Sequence, residues 1–154
     1  MDKNNKIRKL IEDYLKEAKL MQLATSVDHQ PWVCNVWFAT DSNLNIYWIS
    51  STTRRHSHEV IINKKVAGAV ALPQTPADTA RGVQFQGTAE ILTKKLDIAK
   101  ATLLFSKKIF SKALIIRFMK DRSTPHRFYR IKPTQFVLFD MVNFPDHSRQ
   151  EFHL

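Results

Sequence analysis

Glycine is scarce in this 154-residue chain: there are three, Gly68, Gly82 and Gly87. The phosphate loop of a nucleoside triphosphatase and the fingerprint turn of a dinucleotide-binding fold both need several permissive backbone positions close together, so both are excluded. Any phosphate held here must be held mostly by side chains. Cysteine is scarcer still. The single Cys34 excludes an intramolecular disulfide framework, and no Cys/His spacing suits a structural zinc. A reducing, cytoplasmic setting is therefore expected. Long hydrophobic runs are missing too: the most continuous, Val66 to Leu72, is far too short to cross a bilayer, and the first twenty residues are charged and periodic. What the chain does have is 44% apolar residues and 10% aromatic, enough for one core, so a single domain over residues 1–154 is expected.

Acids are outnumbered, 14 against 24 Lys and Arg, which leaves a formal charge of +10. Such an excess invites a polyanion, but its distribution argues otherwise. Twelve basic residues fall between Lys94 and Lys132, opposed only by Asp97 and Asp121, and the rest of the chain balances to zero. The charge belongs to one segment, so nucleic acid is not the expected partner. A basic nucleic-acid-binding barrel stays a rival reading.

Ile7, Leu10, Ile11, Tyr14, Leu15 and Ala18 line one face of a helix spanning Asn5 to Leu20. LMQLATSV, WVCNVWFAT and LNIYWIS then read as three strands with short connections, hence an antiparallel meander. Ser51 to Asn63 reads as a helix and VAGAVAL as a strand of small residues; PQTPAD reads as a loop. In RGVQFQGTAEILT, Val83, Phe85, Ala89 and Ile91 alternate with Gln84, Gln86, Thr88 and Glu90, the clearest strand pattern in the chain. Two basic helices are expected over Leu96–Phe105 and Phe110–Met119, followed by strands HRFYRI and QFVLFDMV on either side of a KPT turn. The tail from Asn143 has too little period to assign. This order suits a small β-barrel with helices packed around it.

Ser50-Ser51-Thr52-Thr53-Arg54-Arg55-His56-Ser57-His58 sits where a strand runs into a helix. Hydroxyls, guanidiniums and free helix N–H groups all suit a phosphate dianion. A capped, solvated helix start, with its arginines paired to carboxylates, is the competing reading. Asn35 lies inside an aromatic run and shares a face with Val33 and Trp37, while Cys34 and Val36 share the other. If buried, its amide needs a partner, and a flat heterocycle with imide groups would serve; otherwise it faces water. Gln84 and Gln86 pose the same choice. His56 and His58 are two apart and unsuited to share an ion, so a solvated helix start accounts for them better. Cys34, with no local cation, reads as an inert thiol.

MQLATS, WVCNVWF, IYWISSTTRRH, RGVQFQGTAEI and FYRIKPTQFVLFD, in this order over residues 20–143, resemble the pyridoxamine 5'-phosphate oxidase-like, FMN-binding split-barrel family, and within it a small uncharacterised branch. The resemblance implies a mainly β fold with flanking helices: a six-stranded antiparallel split barrel that forms a homodimer and binds FMN in clefts at the dimer interface. It places the FMN phosphate on Ser50, Ser51, Thr52, Arg54 and Arg55, with Arg55 aligning best with the usual basic residue. It places the isoalloxazine ring on Asn35, Val36, Trp37 and Gln84. A flavin-dependent oxidoreductase acting on an unknown small cytosolic substrate is implied. A non-catalytic flavin-binding module is the alternative, and other relatives bind haem or a deazaflavin. Cys34 stands where the substrate-binding arginine of pyridoxamine phosphate oxidases would be, which argues against that particular substrate.

Overall fold

In the computed structural model, which describes residues 2–74 and 79–154, α1 (Lys3–Glu17) leads into the meander β1 (Leu20–Val27), β2 (Gln30–Thr40) and β3 (Ile46–Ser51). Then come α2 (Arg55–Ile62), β4 (Lys65–Ala71), β5 (Arg81–Ile91), α3 (Lys95–Lys108), α4 (Lys112–Lys120), β6 (His126–Asp140) and β7 (Arg149–His153). Residues 75–78 of the expected Pro73–Asp78 loop lie outside the described residues. Every strand pairing is antiparallel, in the order β3-β2-β1-β4-β5-β6-β7, and a β3–β6 pairing closes the barrel. The fold is the split barrel anticipated from the sequence, with seven strands in place of six.

The interior is filled by alternate residues of each strand: Met21 and Leu23, Val36 and Phe38, Val66 and Val70, Val83, Phe85 and Ala89, all buried. Trp48 stacks on its register partner Tyr129 with centroids 4.8 Å apart. The outside is covered unevenly. α3 and the turn after it lie over β2, β3 and β6, where Phe105 meets Phe128 edge-on at 5.3 Å and Phe110 meets Trp37 at 6.1 Å. Among the described residues, no helix covers the outer face of β1, β4 and β5.

Two strand expectations need correction. KPT is not a turn: Lys132, Pro133 and Thr134 continue β6, which runs unbroken for fifteen residues. Along it the strand changes neighbours, pairing β3 through His126–Ile131 and β7 from Gln135 onward. Proline, lacking an N–H, is tolerated at such a place because fewer ladder bonds are needed there. The other correction is the unassigned tail, which forms β7: Gln150 faces inward while Arg149, Glu151 and His153 stay exposed, a polar alternation that gave no apolar period to find.

Three buried carboxylates lock the connections. Asp41 closes the β2–β3 hairpin, accepting from the Asn43 and Asn45 backbone N–H groups, Tyr47 Oη and Lys100 Nζ. Asp140 closes the turn after β6, accepting from Tyr14 Oη at 2.6 Å and from Val142 and Asn143. Glu59 of α2 accepts from Thr25 Oγ1 on β1 and from Arg55 Nε. Burial pushes each carboxyl up, but the hydrogen bonds outweigh it and hold all three below the usual range. Groups with depressed folded pKa values add stability above the unfolded carboxylate pKa and lose it as pH falls through the folded one. Urea midpoints are therefore expected to hold between pH 7 and about pH 5, then drop steadily on further acidification. An unchanged midpoint at pH 3 would contradict this.

Candidate functional site

The uncovered sheet face is ordered by register. One rung across it runs Asn35, Gln22, Ala69, Gln84, Val137; the next runs Val33, Ala24, Ala67, Gln86, Gln135. Side chains on one rung point the same way, so five amides from four strands surround a floor of alanines. Four of the amides, Gln22, Gln84, Gln86 and Gln135, line a cleft of about 400 Å3 with Asn35 just outside it, and a second hollow beside Leu20, Trp37 and Ala71 continues along β1. Gln22 Nε2 donates to Asn35 Oδ1 at 3.1 Å, which orients the Asn35 amide without burying it. Gly68, between the floor alanines, faces the core instead, where a Cβ would come within 2.2 Å of the buried Phe85 ring.

Of the ring-contacting residues the resemblance implied, Asn35, Trp37 and Gln84 lie on this face. Val36 points into the core, so only its backbone is available. Gln22 and Gln135 had no place in the sequence reading. Gln22 is the lone amide in β1, set between Met21 and Leu23, a signal that was there; Gln135 was hidden by the apparent KPT turn.

The strand-to-helix junction lies at the end of the β1–β2 hairpin. Thr25 and Trp32, register partners one rung beyond Ala24 and Val33, hold it through Glu59 and Arg55. The two arginines differ sharply. Arg55 is committed, ion-paired with Glu59 at 2.7 Å and stacked 4.3 Å from the Trp32 ring. Arg54, at the N-cap of α2, is exposed and makes no salt bridge among the described residues. Ser50 and Ser51 are turned inward: Ser50 Oγ bonds His56 Nε2 at 2.8 Å, and Ser51 Oγ bonds Thr53 Oγ1 at 2.9 Å. Thr52 is half-buried at the surface edge, its N–H bonded to the Pro125 carbonyl.

His56 thus belongs to the interior and not to a solvated helix start. Burial, reinforced by Arg54, holds its pKa below the ordinary imidazole value, which keeps it neutral. His58 is exposed. Cys34 is half-buried, and burial, aided by Glu59, pushes its thiol up to about 11, away from the reactive thiolate. Among the described residues no three His, Cys, Asp or Glu side chains gather as a metal site, and no helix is long and apolar enough to span a membrane.

A split barrel with a bare, amide-lined outer sheet and a basic strand-to-helix junction defines the class of protein. The pyridoxamine 5'-phosphate oxidase family profile matches residues 7–139, and the chain belongs to that family. It is 25% identical over 91 residues to a UPF0306 protein of Haemophilus ducreyi, covering 58% of this chain and 62% of that one. A UPF0306 protein of Pasteurella multocida is 25% identical over 97 residues, 62% of this chain and 65% of the relative. The match thus spans less than two thirds of either relative. Among solved structures, a conserved hypothetical protein from Mycobacterium tuberculosis superposes with a TM-score of 0.75 at 19% identity, over 94% of this chain and 88% of the other. A heme binding protein from Mycobacterium smegmatis gives 0.73 at 13% identity, over 94% and 57%. A FAD-binding protein from Mesorhizobium loti gives 0.64 at 21%, over 84% and 89%.

Proposed function

We propose that the protein is an FMN-binding homodimer acting as a flavin-dependent oxidoreductase on a small substrate. The observation that carries this reading is the row of amides over an alanine floor. Amides present both donors and acceptors, which match the alternating N–H and C=O edge of an isoalloxazine, and the flat floor admits a planar ring. Arg54, Thr52 and the first N–H groups of α2 suit the phosphate, with Arg55 beside them fixed by Glu59 and Trp32. When bound, FMN supplies hydride or electron transfer; the chain's own part is to orient the ring, anchor the phosphate and shield the site. A heme is the less apt occupant, because the cleft lining holds no His, Cys, Met or Tyr among the described residues to serve as an axial ligand.

The second copy follows from the same face. On it Val33, Leu20, Trp37 and Phe139 are between 38% and 60% exposed, an apolar patch with no helix over it among the described residues. A partner docked there would wall the shallow cleft into an enclosed site.

The test is uptake of FMN by the purified protein, followed by visible absorbance and flavin fluorescence. One FMN per chain, retained through gel filtration at the mass of a dimer, is expected; a protein that takes up no flavin refutes the reading. Anaerobic NADH or NADPH should then bleach the 450 nm region within about seconds to minutes, given ordinary turnover rates. A loaded protein that neither cofactor reduces would be a binding module.

A further inference from the structure

A second cleft, of about 500 Å3, opens between α1, α3 and the β2–β3 hairpin and shares no residue with the sheet-face cleft. Its floor is aliphatic, made by Ala39, Leu44 and Leu104, and Lys16, Lys107 and Lys108 are among the residues that line it. We infer that this cleft is a binding site for a small amphipathic anion, a carboxylate on a short hydrocarbon body.

Charge balance comes first. Two carboxylates line the cleft and both are committed: Glu12 is paired with Arg8 at 2.9 Å, and Asp41 with Lys100 at 2.5 Å while also accepting from Asn43, Asn45 and Tyr47. Lys16 and Lys107 make no salt bridge among the described residues, and both are exposed. The competing account is that these lysines merely complement the ends of α1 and α3, whose last turns they occupy. Each helix C-terminus is worth roughly half a negative charge, so two of them offset about one of the three ammoniums. A surplus of about two positive charges is left facing the cleft.

Lys108 gives that surplus a fixed direction. Its Nζ donates to the Leu15 carbonyl at 2.7 Å and lies 3.9 Å from the centroid of the buried Phe38 ring. An ammonium has three N–H groups, and these two contacts leave one for a ligand. Burial, with Lys19 nearby, lowers its pKa to about 8, which marks a cation short of counter-charge that an anion would relieve. The aliphatic floor then selects anions with a hydrocarbon body over bare inorganic ones.

The probes are octanoate, 1-octanol, which has the body without the charge, and acetate, which has the charge without the body. Calorimetry is run at low salt on the wild type and on a Lys16→Gln/Lys107→Gln variant, whose lost side chains are exposed and make no salt bridge among the described residues. Octanoate is expected to bind the wild type with a dissociation constant below about 1 mM, with octanol and acetate each at least about tenfold weaker. The double variant should weaken octanoate by about tenfold, and raised salt should do the same. In the wild type, the Lys108 Cε resonance should titrate at higher pH with octanoate present. FMN uptake should be unchanged throughout, which separates this site from the sheet face. Octanol binding as tightly as octanoate, equal octanoate affinity in the variant, or no octanoate binding at millimolar concentration would each overturn the assignment.

Discussion

Replacing Gly87 with alanine should destabilise the protein by about 3 kcal/mol or more, the upper end of what overpacking costs. Gly87 faces Pro133 across the β5–β6 ladder at a shift in register. A Cβ there would lie 2.3 Å from the Lys132 carbonyl oxygen and 2.7 Å from Pro133 Cα, both backbone atoms of β6, which is laddered to β5 at this point and anchored by β3 before it and β7 after it. A side chain can rotate out of the way; this backbone cannot without breaking ladder bonds. In a domain of this size the loss corresponds to roughly 6–12 °C in melting temperature. Gly82→Ala is the control. Its nearest obstacle is the Val70 carbonyl oxygen at 3.0 Å, with nothing else inside 3.9 Å, so a change under about 1 kcal/mol is expected. Equal melting temperatures for the two variants would mean that β6 shifts freely past β5.

The second large effect concerns the arginine pair. Arg54→Ala should weaken FMN binding by about 10- to 100-fold, the worth of one or two charge-assisted hydrogen bonds, with an unchanged urea midpoint. Arg55→Ala should act on both axes. It removes a cation beside the proposed phosphate position and also strips the buried Glu59 of its ion-pair partner, leaving Thr25 alone to satisfy that carboxylate. Loss of one partner of a largely buried pair costs about 2 kcal/mol or more, beyond any effect on flavin. If both variants hold FMN as the wild type does, the phosphate lies elsewhere. If only Arg55→Ala releases it, Arg54 is a solvated cap and nothing more.

How far the sequence alone could reach is clearest at particular residues. The alternation in RGVQFQGTAEI placed Gln84 and Gln86 on one face of β5 correctly, because a strand buried on one side writes its geometry into period two. The facing of Asn35 with Trp37, opposite to Cys34 and Val36, came from the same rule, but the rule left open which face is buried, and Val36 turned out to be on the buried one. The difference between Arg54 and Arg55 was also readable, since Glu59 stands four residues after Arg55 on a helix, the spacing of an ion pair. By contrast, the inward turn of the Ser50 and Ser51 hydroxyls depends on β3 pairing with β6, and on His56 reaching back across a turn. Neither is a local property. The KPT segment misled because proline and a polar neighbour signal a break, and a break does occur, but in the pairing rather than in the strand.

The β3–β6 pairing that closes the barrel has a kinetic consequence. Its partners, from Ser51 and His126 to Ile46 and Ile131, stand 75 to 85 residues apart in the chain. The meander and the β4–β5 pair can form locally, whereas this seam must wait for the intervening chain to be gathered in, at the entropic cost of a long loop. The stacked Trp48 and Tyr129 rings meet across that same seam. In a variant that keeps Trp48 and replaces Trp32 and Trp37 with phenylalanine, fluorescence on refolding is therefore expected to report the closing step, and hydrogen exchange at the β3 edge facing β6 should gain protection later than at β1 and β2.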